Sequence, residues 1–151
     1  MLIQRSGTQS GGALPTIDPD ALPPGTWLRR WPPVGYGVAH DFIVASRGWA
    51  FENAGPGSTV RVWPTSELLR KPARVQVIDV PQSWTHAVGR LQVAEQKLGR
   101  PWQWTYNCQD FASEVVTGIP QSFQRDAVHA TLLLVALVWV GGMTCASFGN
   151  S

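Results

Sequence analysis

Apolar and polar residues alternate along the first half of the chain in short runs broken by Gly, Pro and Asn. Thr26-Trp27-Leu28-Arg29-Arg30-Trp31 reads as a first strand, stopped by Pro32-Pro33. Gly35 to Ala45 reads as a second strand, opened by glycines and carrying His40 near its start. A turn at Ser46-Arg47-Gly48 leads to a returning strand, Trp49-Ala50-Phe51-Glu52-Asn53. Thr59 to Trp63 and Arg74 to Val80 read as further strands. Between them, residues 64–69 read as a short helix capped by Thr65 or Ser66.

The pattern then changes from period two to helical spacing. Ala87, Leu91, Ala94 and Leu98 form one stripe of a helix over Trp84–Leu98, which Gly99 ends. After the aromatic connector Arg100–Tyr106, Asn107 is placed to cap a helix whose apolar face holds Phe111, Ala112, Val115 and Val116. Gly118 is placed to close it. Strands followed by helices predict an α+β fold, a small antiparallel sheet with helices packed on one face.

Three regions follow from this order. Residues 1–22 read as a flexible arm rich in small and polar residues, and residues 23–120 as one domain. From Ala127 to Phe148 no charged side chain occurs. A bilayer span needs roughly 17–25 mostly apolar residues, so 127–148 is expected to be a membrane-spanning or membrane-inserting helix. Arg125 precedes it and no charge follows, which leaves the domain on the cytoplasmic side. Met1 to Arg5 leads into Ser, Gly, Thr and Gln, so the start does not read as a secretory signal.

Composition narrows the field. Net charge is +2 with 15% charged residues, and the basic runs are only Arg29-Arg30 and Arg70-Lys71, so nucleic acid is not an expected partner. Two cysteines make no disulfide framework, and no Cys/His spacing reads as a metal site, so neither metal nor cofactor is expected. Eight tryptophans supply core area and suit a membrane surface.

The chemistry gathers around Tyr106-Asn107-Cys108-Gln109-Asp110-Phe111. A thiol in the first turn of a helix feels the positive end of the dipole, which favours thiolate; alternatively Cys108 is a small apolar residue of the core face. His40 stands on a strand whose hairpin partner carries Glu52 and Asn53, so an imidazole and an acid or amide can lie side by side opposite a cysteine. Nucleophile, base and orienting group is the layout of nucleophilic catalysis. Adjacent strand residues face opposite sides, so Glu52 and Asn53 cannot both serve: Asn53 shares a face with Trp49 and Phe51, Glu52 with Ala50. Backbone N–H groups at Asn107–Gln109, where the helix is capped, are candidates to hold an oxyanion.

These segments resemble the lecithin–retinol acyltransferase family, a circularly permuted branch of the NlpC-type papain-like thiol enzymes. Pro24-Gly25-Thr26-Trp27-Leu28 resembles its opening strand, His40-Asp41-Phe42-Ile43-Val44 its histidine strand, and Asn107-Cys108-Gln109-Asp110-Phe111 its Asn-Cys-Glu-His-Phe box. The resemblance covers roughly residues 23–118. It implies Cys108 as nucleophile, His40 as general base, and a third polar residue at Glu52, where the family commonly has histidine. Gln109-Asp110 departs from the family's Glu-His. Implied is an acyl hydrolase or acyltransferase working through a thioester on phospholipid or another lipid ester. An NlpC-type amidase acting on peptide or cell-wall amides, and a non-catalytic membrane-anchored interaction module, are the alternatives.

Overall fold

The computed structural model describes residues 17–31, 38–70 and 74–147, with side chains as far as Leu137 in the last segment. Five strands, β1 (Trp27–Trp31), β2 (His40–Ser46), β3 (Trp49–Asn53), β4 (Val60–Pro64) and β5 (Arg74–Asp79), form one antiparallel sheet in the order β4-β3-β2-β1-β5. Helices α1 (Thr65–Leu68), α2 (Trp84–Gln96), α3 (Cys108–Thr117) and α4 (Phe123–Ser147) complete an α+β fold. The glycines expected to open β2, Gly35 and Gly37, lie outside the described residues.

Alternation divides the sheet into two faces. On one, Ile43, Phe51 and Val60 pack against Phe111, Ala112 and Val115 of α3 and Ala94 of α2, all 4% exposed or less. Burying a side chain such as Phe111 contributes about 1.5–3 kcal/mol, so this cluster holds α3 on the sheet. On the other face, Leu28, Phe42, Val44 and Ala50 are covered by Leu68 of α1, with Leu22 and Leu69. The longer helices α2 and α3 thus share one face and one-turn elements close the other. Leu22 follows a 3-10 turn, Pro19–Ala21, and Asp20 accepts the Gly48 N–H (2.7 Å) across the β2–β3 turn.

Two local expectations are corrected. Helix α1 has Pro64 at its N-cap with no side-chain cap; Thr65 is its first residue, and its hydroxyl reaches Asp20 instead (3.4 Å). Helix α2 ends at Gln96, so Leu98 lies beyond the helix and is half exposed while Ala87 and Ala94 are buried. Ser83 caps its start through the His86 N–H.

Helix α3 starts and stops where its capping residues stand. Asn107 Oδ1 accepts the N–H groups of Gln109 (2.8 Å) and Asp110 (3.3 Å), and Asp110 Oδ2 accepts the Asn107 N–H (3.1 Å). A reciprocal box of this kind satisfies the orphan donors of the first turn. Gly118 closes the helix at φ 78°, a left-handed conformation that side chains other than glycine rarely adopt. The connector before Cys108 is pinned by Glu114, which accepts from Lys97 (2.6 Å) and from the Tyr106 hydroxyl (2.6 Å), while Arg100 lies over the Tyr106 ring.

Among the described residues, no helix is long and apolar enough to cross a membrane. The span expected over 127–148 runs past Leu137 into residues whose side chains are not described, Cys145 among them.

Candidate active site

Three polar side chains converge where β2 begins. Cys108 opens α3, and its Sγ lies 3.8 Å from the carbonyl of Ala39, the residue before His40. Cys108 is among the groups that raise the His40 pKa, so thiol and ring are electrostatic neighbours. His40 Nε2 lies 2.9 Å from Glu52 Oε2.

Register explains why Glu52 and not Asn53 meets the histidine. Phe42 pairs with Glu52 across β2 and β3. His40 is two residues from Phe42 and stacks on it (ring centroids 6.4 Å apart), so His40 and Glu52 are diagonal neighbours on one face. Asn53 faces the other way, fully buried, and donates to the Tyr106 carbonyl (3.3 Å). Asn53 therefore braces the connector to α3, while Glu52 lies against the imidazole.

Glu52 is itself held. Its Oε1 accepts from Arg61 Nε (2.9 Å) and Nη2 (2.7 Å), and Arg61 packs on the Trp63 ring, 3.9 Å from its centroid. Burial alone pushes the Glu52 carboxyl up, but His40 and Arg61 outweigh it and hold it below the usual carboxylate range. Burial likewise pulls His40 down, yet Glu52 and Cys108 together outweigh it and raise it to about 9. Near neutral pH the ring is then an imidazolium between a carboxylate and a sulfur.

A second buried pair flanks the first. Asp41, fully buried, receives Arg29 Nε and Nη2 (both 2.7 Å) and the Trp27 indole N–H (3.0 Å). Arg29 and Asp41 pair across β1 and β2 on the face that α3 covers. The Arg29 cation lies near enough to feel Cys108 electrostatically, and Asp41 is the main cause holding its pKa up.

Gln109 and Asp110, which follow the cysteine, do structural work. Gln109 Oε1 accepts from the Ser122 hydroxyl (3.2 Å) and the Gln124 N–H (3.1 Å). Asp110, fully buried, pairs with Arg125 (2.8 Å); burial pushes its carboxyl up, opposed by the Asn107 N–H and Arg125. Asn107 Nδ2 donates to Ser122 Oγ (2.8 Å). The start of α3 and the first turn of α4 are thereby stitched together. One expectation changes: the Gln109 N–H is spent on the Asn107 cap, so the first-turn donor without an acceptor among the described residues is the N–H of Cys108 itself.

Sequence reading missed Arg61, the Arg29–Asp41 pair and Gln124. Only Arg61 left a signal, since it falls opposite Glu52 once the β3–β4 register is known. Among the described residues, no group of three His, Cys, Asp or Glu side chains is arranged to hold a metal ion.

Compared with known proteins, the chain matches no family model and no curated sequence.

Proposed function

We propose that this protein is a thiol-dependent acyl hydrolase or acyltransferase that acts on lipid esters at a membrane surface. The observation that carries the reading is the grouping of Cys108, His40 and Glu52, with the sulfur at a helix start and 3.8 Å from the carbonyl of the residue before His40, and the imidazole 2.9 Å from a buried carboxylate. We also read the order of a histidine strand before a cysteine helix as the permuted NlpC-type arrangement.

The steps follow from these groups. His40 takes the thiol proton as Cys108 attacks, and the Glu52 carboxylate offsets the charge the ring then carries. The sulfur lone pair forms a bond to the acyl carbon, and the carbonyl π pair moves onto oxygen. Collapse expels the alkoxide, which takes the proton from His40 and leaves a thioester on Cys108. His40 then removes a proton from water, an alcohol or an amine as that oxygen or nitrogen attacks, and the thiolate departs. Glu52 stabilises the imidazolium throughout and fixes the ring's orientation.

Exposed apolar side chains around the α3–α4 junction favour a lipid substrate. Trp104, Ile119 and Phe123 are each more than half exposed, and Arg125 in the first turn of α4 bonds the Thr105 carbonyl, which brings the Trp104 loop beside that helix. Leu132, Leu133, Leu134, Val135 and Leu137 are also exposed, in an unbroken apolar run. Apolar surface of this kind is costly in water and marks a membrane or partner site. In this reading α4 inserts into the bilayer and keeps the thiol site at its surface.

Mass spectrometry after incubation with phosphatidylcholine vesicles tests the proposal. An acyl-sized adduct on Cys108, absent from Cys108→Ala, is expected. Fast alkylation of Cys108 with no adduct and no fatty-acid release would move the substrate class to amides. A Cys108 no more reactive than free cysteine would defeat the enzyme reading.

A further inference from the structure

Arg61 stands directly opposite Glu52 in the β3–β4 ladder. It gives two donors to Glu52 Oε1, Nε at 2.9 Å and Nη2 at 2.7 Å, while Oε2 lies 2.9 Å from His40 Nε2. One oxygen of the carboxylate serves the arginine and the other the imidazole. The guanidinium lies over the Trp63 ring, 3.9 Å from its centroid, which limits where it can point. Burial pushes the Glu52 carboxyl up, and His40 and Arg61 together hold it ionised. A buried carboxylate needs a counter-charge at all times. In the acyl-transfer reading His40 cannot be that counter-charge at every step. It takes a proton from the thiol, hands it to the leaving oxygen, takes another from the acceptor and returns it to the departing thiolate. Whenever the ring is neutral, Arg61 is the one cation bonded to Glu52 among the described residues. An arginine keeps its proton throughout, so it can hold that place through the whole cycle.

We propose that Arg61 is a positioning residue for this reaction: it is the permanent counter-charge of Glu52, which lets His40 gain and lose its proton while the carboxylate stays ionised and aimed at the ring. The proposal rests on the acyl-transfer reading above. The other charged groups around His40 do not fill this place. Cys108 approaches from α3 and carries no positive charge. Arg30 stands opposite His40 on β1, across from the ring rather than on the carboxylate, and Arg29 is spent on Asp41. The direction of the effect follows from Coulomb's law. A cation on Glu52 weakens the hold of the carboxylate on a protonated ring, so Arg61 opposes part of the rise that Glu52 causes in His40. Without Arg61 the buried carboxylate has only the imidazolium, and the ring gives up its proton less readily.

Two variants of full-length protein separate this role from a structural one. Arg61→Met removes the charge and keeps a chain that can lie on Trp63; Arg61→Lys keeps the charge and loses the fork. Both are compared with the wild type by NMR titration of the histidine rings and by acylation of Cys108 with p-nitrophenyl acetate, with thermal unfolding to verify folding. In Arg61→Met the His40 midpoint is expected to rise by at least about half a unit, which at neutral pH leaves about threefold less free base and slows acylation by the same factor. In Arg61→Lys the midpoint is expected to stay close to that of the wild type. A midpoint that stays or falls in Arg61→Met would make Arg61 a brace for the fold alone and overturn the proposal, however the rate changes. A shift as large in Arg61→Lys would also overturn it, because the charge would then not be what matters. A wild-type Cys108 that acylates no faster than free cysteine, with the midpoints moving as expected, would instead defeat the acyl-transfer reading, and the role of Arg61 in it.

Discussion

Replacing Glu52 by Gln removes a charge from His40 while keeping the shape of the side chain. Glu52 Oε2 is 2.9 Å from His40 Nε2, and the two side chains are 3% and 20% exposed, so solvent screens the contact little. A hydrogen bond between charged groups contributes about 1.5–3 kcal/mol. At 1.36 kcal/mol per pKa unit, its loss lowers His40 by about 1–2 units. The contact with Cys108 remains, so His40 is expected to move from about 9 to about 7–8. The raised His40 pKa stabilises the fold fully below its ordinary value of 6.5, and this contribution fades as pH rises through about 9. The lowered Glu52 pKa contributes above the ordinary 4.5 and is lost as pH falls through its folded value. The variant is therefore least stable relative to wild type between about pH 5 and about pH 6.5, and the gap narrows toward about pH 9. Arg61, 40% exposed, can turn to water. Long-range proton–nitrogen NMR of the three histidine rings, followed from about pH 5 to about pH 10, reads the midpoint directly. A His40 midpoint that does not move in Glu52→Gln would refute the assignment of Glu52 as its stabilising partner.

Asn53→Ala should lower stability by about 1–3 kcal/mol, because it empties a fully buried position and drops the bond to Tyr106, yet leave the His40 midpoint unchanged; a shifted midpoint would mean that Asn53, too, acts on the imidazole. Arg125→Ala strands the fully buried Asp110 carboxylate and should cost about 3–5 kcal/mol by urea unfolding, with much of the loss recovered in the Arg125→Ala, Asp110→Asn pair. No recovery would mean that Arg125 acts through its bond to Thr105. A chain ending at Asp126 keeps Gln124 and Arg125 and removes only exposed side chains among the described residues of α4. It should unfold within a few degrees of the full chain and fail to pellet with phospholipid vesicles; a chain that unfolds would instead show that α4 completes the core.

Strand limits were readable because turn residues and alternation are local. The run from Trp27 ends at Trp31, the hairpin turns at Arg47-Gly48, and β3 spans Trp49–Asn53. Helix α3 was readable for the same reason: Asn107 and Gly118 act on backbone within one turn of themselves. Leu98 misled because the helical stripe continues in the sequence after the backbone has left the helix at Gln96. The choice between Glu52 and Asn53 could be framed from parity but not decided, because parity says which residues share a face and not which face His40 takes.

From its sequence alone the chain determined its element types, the cap that opens α3, and the residue types able to do thiol chemistry, since each depends on neighbours a few positions away. Tertiary structure alone decided that β5 pairs with β1, that Arg61 braces Glu52 and Arg29 braces Asp41, and that Gln124 shares the Ala39 carbonyl with Cys108. Those contacts join residues far apart in the chain. They exist because strand register and the packing of α3 and α4 bring them together, and neither is encoded in any short stretch of sequence.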